Sequence, residues 1–425
     1  MTTAALDAYE LIRRDVVARL GDEQGAVAHA DEWIRDAVTL AVDDYQSRAH
    51  HGEHPPLHDP AEMIERVVRA VTDLGPLSEL LARHDVEEIF IEGARVSYLD
   101  DRGRLRGWVM PTSEDENRRA IEQLLVATDR QLHATSPLVQ ARVLDGTARL
   151  TAAIPPVADR LSATLRRYTV RSVSLDRLVA LGSLEAAAAA FLAAMMRFRS
   201  RVAVSGEPGA GKTTLLAALL AAAPPEHCVR ACEEIRELSV PFTHGAYYET
   251  RPPALDGSGE ITLRQLVKFV LAMRPDRIVV GEVRGAEAFE LTRAINAGCG
   301  FVCTVHANSA PEALHALVNA ALMAGENVTE RVVQRVFSSA LDLVVHVERR
   351  DVPGAGGARR QVSAVTAVVP ALTDGFTCEP IFVRDIADGP LRWTGSMPER
   401  LEDRADRALG RSGALRSVLE AGDRA

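Results

Sequence analysis

Eight residues limit what this chain can fold into more than any others: Gly206-Glu207-Pro208-Gly209-Ala210-Gly211-Lys212-Thr213. They satisfy every fixed position of the pattern G-x-x-x-x-G-K-[ST]. Val202, Ala203 and Val204 precede them as a short apolar strand, and Leu215, Leu216, Leu219 and Leu220 follow as the apolar side of a helix. A strand, a glycine-rich turn and a helix in that order make an anion cradle. Glycines let successive backbone N–H groups curl around a phosphate chain, and the helix N-terminus adds a partial positive charge. A lysine in the place of Lys212 reaches the β- and γ-phosphates, and a hydroxyl in the place of Thr213 ligates Mg²⁺. Residues Gly206 to Thr214 therefore predict a site for ATP or GTP, within an α/β fold.

Composition supports that reading. Of 49 basic residues only Lys212 and Lys268 are lysine, which leaves 47 arginines. Where arginine is the default, a lysine inside this loop marks a place that needs a compact ammonium. The 59 acidic residues give a net charge of −10, which argues against a dedicated nucleic-acid coat, so no direct nucleic-acid binding is expected. The longest uncharged apolar run, Ala186 to Met196, stops at Arg197. It falls short of the roughly 18 residues that a membrane span requires. The first residues lack a basic-then-apolar leader pattern, and five cysteines suit a reducing compartment. A cytoplasmic protein is the expectation.

Along the chain, residues 1–49 read as an N-terminal helical bundle, with Leu6, Tyr9, Ile12 and Val16 as one stripe and Trp33, Val38 and Val42 as another. Residues 50–60 read as a solvated linker, although His50, His51, His54 and His58 are metal-capable types. Residues 61–170 read as an α+β domain, with strands in EEIFIEG, RVSYLD, RLRGWV, ARLTAAIPP and RLSATLRRY. From 171 to 425 a helical run precedes alternating strands and helices, the signature of a buried parallel sheet, with a C-terminal tail. A loose hairpin turn is expected at 353–357. The cysteines at 228 and 232 have a zinc-like spacing, but an extended strand would hold them about 13 Å apart.

A phosphate loop alone specifies binding. Hydrolysis needs a carboxylate near the γ-phosphate, to hold the metal or orient water. The strand RIVVGE ends in Glu282, with Gly281 where an aspartate would be usual, and HCVRACEE ends in Glu233 and Glu234. Carboxylates at the C-terminal ends of parallel strands lie on the ligand face of an α/β sheet. His306 ends a third strand, FVCTVH, and is placed to face the same phosphates.

GEPGAGKTTLL, ACEEIRELSV, LRQLVKFVLAMRPDRIVVGEVRGAEAFE and GCGFVCTVHANSA occur in that order. Together they resemble the secretion-type ATPases of type II and type IV secretion systems, and most of all the CpaF-like tight-adherence (Flp) pilus assembly ATPases. The resemblance runs from about residue 61 to about 400, and takes in DVEEIFIEG, DGTARLTAAIPP, ATLRRYT, FVRD and LRWTG. It implies a RecA-like P-loop ATPase core behind a smaller α+β domain and a helical bundle. It implies ATP and Mg²⁺ as ligands, and a homo-hexameric ring peripheral to the cytoplasmic side of an inner membrane, acting on a membrane platform protein. It also implies roles. Glu233 matches an acidic-box glutamate, with Glu234 where aspartate is more usual. Glu282 matches the water-activating base. His306 matches a histidine that senses the γ-phosphate. Thr213, Glu233 and Glu282 are the implied metal-side groups. Arg149 and Arg166 match first-domain arginines that reach the nucleotide phosphates. Arg264, Arg274 and Arg284 match core arginines, some of them acting between subunits. The cysteine-rich zinc module of some type II relatives has no counterpart here.

The expected function is a motor ATPase for pilus assembly or secretion. Type IV secretion of conjugative DNA or effectors is the alternative. A nucleotide-binding scaffold without turnover and a small-molecule phosphotransferase are more distant readings; the latter would have no need of so long an N-terminal half.

Overall fold

A computed structural model of the chain describes residues 3–22, 30–110, 112–168, 173–253, 257–325, 327–352, 357–371, 375–386 and 389–422. They form two compact units, Met1–Thr169 and Val170–Ala425.

The first unit begins with helices α1 (Thr3–Asp22), α2 (Ala30–His50) and α3 (Pro60–Thr72). Tyr9, Ile12 and Val16 of α1 pack with Val38, Val42 and Tyr45 of α2 and with Met63 and Val67 of α3. The third helix thus belongs to the bundle, although the sequence reading grouped it with the α+β part; two amphipathic helices have too little partner surface to bury both stripes. Asp59 caps α3 by accepting from the Glu62 N–H, and Pro60 starts it. The segment before α3 is tied down: Tyr45 donates to the Pro55 carbonyl, Gln46 accepts from the Leu57 N–H, and His54 stacks on Tyr45.

There follow α4 (Leu77–Ala82), β1 (Val86–Glu92), β2 (Arg95–Asp100), β3 (Leu105–Gly107), α5 (Glu114–Val126), β4 (Leu138–Val143), β5 (Ala148–Ala153) and β6 (Ser162–Arg167). The strands form one antiparallel sheet in the order β3-β2-β1-β6-β5-β4. Burial alternates along them, so one face packs into a core that includes Ile121 and Leu124 of α5 and the other stays wet.

The second unit runs α6 (Leu175–Ala180), α7 (Ala186–Met196), β7 (Arg201–Gly206), α8 (Lys212–Ala221), β8 (Cys228–Glu233), β9 (His244–Glu249), α9 (Leu263–Leu271), β10 (Arg277–Val283), α10 (Glu287–Asn296), β11 (Gly300–His306), α11 (Ala310–Leu322), α12 (Glu330–Ala340), β12 (Leu343–Val352), β13 (Gly357–Pro370), β14 (Phe376–Val383), β15 (Arg392–Trp393), α13 (Glu399–Leu409) and α14 (Ala414–Gly422). The sheet order is β15-β14-β13-β12-β7-β11-β10-β8-β9. The strands from β12 to β9 are parallel, and β13 to β15 extend the sheet antiparallel. One core cluster packs α7, α8 and α14 on one face, and another packs α9, α10, α11 and α12 on the other. This is a RecA-like arrangement, in which β11 lies between the phosphate-loop strand β7 and the carboxylate strand β10. Residues 353–356 of the expected hairpin turn lie outside the described residues.

Candidate functional site

The loop after β7 opens α8 with Gly211 in the left-handed region and no side-chain cap. In the same unit α9 and α11 close their N-termini with Thr262 and Ser309. The first N–H groups of α8 are therefore left for a ligand. Lys212 is buried; its Nζ donates to the carbonyls of Gly206 (3.0 Å) and Glu207 (3.1 Å) and lies 3.1 Å from His306 Nδ1. Thr213 and Thr214 stand half-buried on the first turn, beside an exposed Glu207 and Pro208.

An ammonium can only donate. His306 Nδ1 must then accept, which leaves the ring proton on Nε2. That nitrogen lies against Glu282 Oε1. Burial and the neighbouring Lys212 charge push the His306 pKa below its ordinary value, against the pull of Glu282, so the ring is neutral at pH 7. Glu282 Oε2 accepts from Arg284 Nη2 at 2.6 Å, and Arg284 Nη1 donates to Glu234 at 3.1 Å. Lys212, His306, Glu282, Arg284 and Glu234 thus stand in contact one after another across the ends of β7, β11, β10 and β8. Sheet order alone makes this chain; no two of its first three members are near in sequence.

Glu233 behaves differently from Glu234. It is 2% exposed, and its carboxylate accepts from the N–H groups of Glu237 (3.1 Å) and Leu238 (3.3 Å). Burial pushes its pKa up to about 7, although those N–H groups pull it down. It also explains Gly281. A β-carbon there would stand 2.8 Å from Glu233 Cγ, so the place of the usual aspartate side chain is taken by Glu233 from the neighbouring strand.

Arg274 requires a correction. It stands exposed before the first residue of β10, at the N-terminal edge of the sheet. Five strand steps, about 16 Å at ~3.3 Å each, run from Arg277 to Glu282. Arg274 therefore cannot touch a nucleotide held by the phosphate loop of its own unit. Arg264 lies on α9, where it donates to the buried Glu290 (3.1 Å) and the Ala324 carbonyl (3.2 Å).

In the first unit, Arg149 and Arg166 are directly opposite on β5 and β6. Arg142 of β4 faces Arg149, and Glu88 of β1 faces Arg166. Directly paired residues share a face, so three guanidiniums and one carboxylate form a single cross-strand row on the wet side. Arg142, missed in the sequence reading, is visible only once β4 and its register are known.

The family model described as Type II/IV secretion system protein matches residues 72–367. The chain belongs to that family, the type II/IV secretion ATPases. It is similar to a putative conjugal transfer protein of Mycobacterium tuberculosis, 34% identical over 287 residues, which are 66% of this chain and 81% of that one. It is also similar to the type IV secretion system protein PtlH of Bordetella pertussis, 29% identical over 322 residues, covering 68% of this chain and 92% of that one. Among solved structures, the pilus retraction motor PilT with bound ADP is similar with a TM-score of 0.48 and 18% identity, over 68% of this chain and 82% of that one.

Proposed function

We propose that the chain is a motor ATPase that hydrolyses ATP to drive pilin assembly or secretion through a membrane platform protein. The observation that carries this is the chain from Lys212 to Glu234 beside the phosphate loop. In this proposal a neutral imidazole and a carboxylate meet the γ-phosphate and the attacking water. Glu282 orients that water and takes up its proton. His306 contacts the γ-phosphate and reports its presence by giving up Lys212. Lys212 turns from the loop carbonyls to the β- and γ-phosphates. Charge spreads over the γ oxygens in the transition state, and a single well-placed donor lowers such a barrier by roughly 3–4 kcal/mol. Arg149 and Arg166 supply such donors when the first domain closes on the nucleotide, so that turnover depends on movement. Arg284 holds Glu282 in place. Any role of Arg274 is in trans, across a subunit interface of a homo-hexamer.

Among the described residues no three His, Cys, Asp or Glu side chains converge as a metal cage. That donor set fits Mg²⁺, which takes one or two protein oxygens and completes its shell with phosphates and water. Thr213 and Glu282 are the protein oxygens that would hold it; Glu233 is anchored to backbone N–H groups and would act behind them. Bound Mg²⁺ would neutralise charge developing on the phosphates.

The tight-adherence pilus is the particular machine we favour, at the cytoplasmic face of the inner membrane. The conjugal-transfer and type IV secretion names of the relatives favour a second reading, transfer of DNA or effectors. Deleting the gene separates them: loss of surface pili with conjugation intact supports the first, and the reverse supports the second. The ATPase reading itself is tested by phosphate release from the assembled protein. Equal rates for wild type and Lys212→Ala would overturn it.

A further inference from the structure

The phosphate loop has two flanks, because β7 lies between β11 and β12. The β11 flank carries His306 and Glu282. The β12 flank carries arginines that none of the roles above employs. Arg349 on β12 and Arg360 on β13 are directly opposite in register. Two places earlier on the same face stand Val347 and Val362, also paired and both in the core. This face therefore runs from apolar, where it packs against the unit, to doubly cationic beside the loop.

Three contacts fix the hairpin to the loop. Ser205, the residue before Gly206, lies 2.9 Å from Nδ1 of the buried His346 on β12. The Val347 carbonyl comes so close to Gly206 that a β-carbon there would meet it at 2.3 Å. Arg360 Nε donates to the Gly209 carbonyl at 3.0 Å, and its stem passes 3.7 Å from the β-carbon position of Gly211. Arg349 completes the arrangement, with Nη1 3.4 Å from the β-carbon position of Gly209. Arg350 and Arg359, next in register on the other face, are opposed in the same way, so what sets Arg349 and Arg360 apart is their place against the loop. Placed against a loop whose N–H groups bind phosphate, the pair presents what a polyanion attracts.

We infer that Arg349 and Arg360 form a second cationic arm of the nucleotide site, gripping the phosphate chain of a nucleoside di- or triphosphate from the flank opposite His306 and Glu282. The inference rests on the ATPase reading and deepens it. Arg360 positions the loop tip through Gly209, and Arg349 supplies charge to the ligand. The two flanks then divide the work: the β11 side handles water and the γ-phosphate, and the β12 side holds the phosphates that remain after cleavage.

Calorimetric titration of the full-length assembled protein with Mg-ADP tests this. Lys212→Ala is expected to lose uptake. Arg349→Gln is expected to weaken it fivefold or more, and Arg349→Lys, which keeps the charge, to stay within threefold of wild type. In turnover assays the Arg349→Gln loss is expected in KM for ATP rather than in kcat, because an arm that holds ground and transition states alike contributes uniform binding. Wild-type affinity in Arg349→Gln, with Lys212→Ala inactive in binding, overturns the arm and leaves the ATPase reading standing. A fall in kcat at unchanged KM also overturns it. No uptake by wild type overturns both. Thermal melting checks each variant, and Arg349→Met, which keeps the packing of the stem, replaces Arg349→Gln if that variant does not fold.

Discussion

Both units carry arginines on a β-sheet, and the strand ends around Glu282 use them differently from the first sheet. In the second sheet the polar groups stand at strand ends with cations and carboxylates interspersed: Lys212 against the neutral His306, His306 against Glu282, Glu282 against Arg284, Arg284 against Glu234. In the first sheet Arg142, Arg149 and Arg166 stand side by side, with Glu88 as the one carboxylate in the row. This chain of contacts is closed within its own unit, with Glu282 Oε1 buried and without a hydrogen-bond donor. The row concentrates positive charge on an open face, and an anion supplied from elsewhere would relieve it.

The contrast breaks most sharply at Lys212. Its ammonium has acceptors on every side in the second unit, so Lys212→Ala is expected to weaken ATP binding by on the order of 100-fold or more, read by calorimetry. An unchanged affinity would remove the chain from the site. Glu282→Gln comes next. It keeps the shape but removes the base, so turnover is expected to fall by roughly 10²–10⁴-fold while ADP binding stays within a few-fold. A fall in binding instead would mean that Glu282 only positions ligands.

Glu233 sharpens the comparison through pH. Its folded pKa of about 7 lies above the ordinary carboxyl value of 4.5, so the folded chain binds the proton more tightly than the unfolded one. The stability it contributes is full below pH 4.5 and is lost as pH rises through 7. That loss is up to ~3 kcal/mol at 1.36 kcal/mol per unit. Glu233→Gln, which cannot ionise, is expected to flatten the fall in melting temperature between pH 5 and pH 8. An equal fall in both proteins would place the charge of Glu233 in water. His306 has the opposite sign: its pKa is lowered, so its contribution is present above pH 6.5 and lost on acidification.

These elements differed in how far the sequence revealed them. Strands β7, β10 and β11 were legible because each is a short, largely apolar and buried run near a functional residue, and β8, which carries the half-buried Arg230, because it ends in Glu233. Strand β4, LVQARV, and strand β9, HGAYYE, went unread; both are sheet edges, where weak alternation and polar residues suffice. The chain from Lys212 to Glu234 was legible as residue types at strand ends. Its order was not, because order depends on β11 entering the sheet between β7 and β10. Arg274 was expected only from the family resemblance, in which some core arginines act between subunits, and its place before β10, at the sheet edge away from Glu282, leaves no mark in the residues around it. Arg142, Arg349 and Arg360 depend on cross-strand register, which leaves no mark in the residues around each one.

The smallest effect is the most telling about the first sheet. Like charges directly opposite in an antiparallel pair are destabilising, by an amount of the same order as the 0.2–1 kcal/mol of favourable pairs. Arg149 is flanked by an arginine on each side, and its Nη2 reaches Gln140 at 3.0 Å. Arg149→Gln removes both repulsions and keeps a polar group that can bond to Gln140. The full-length protein is therefore expected to unfold at the same or a slightly higher temperature, while its ATP turnover falls at least tenfold. A residue whose removal helps the fold and harms the reaction is held for the reaction. A variant that loses stability and keeps its turnover would make the row ordinary scaffolding and end the contrast between the two sheets.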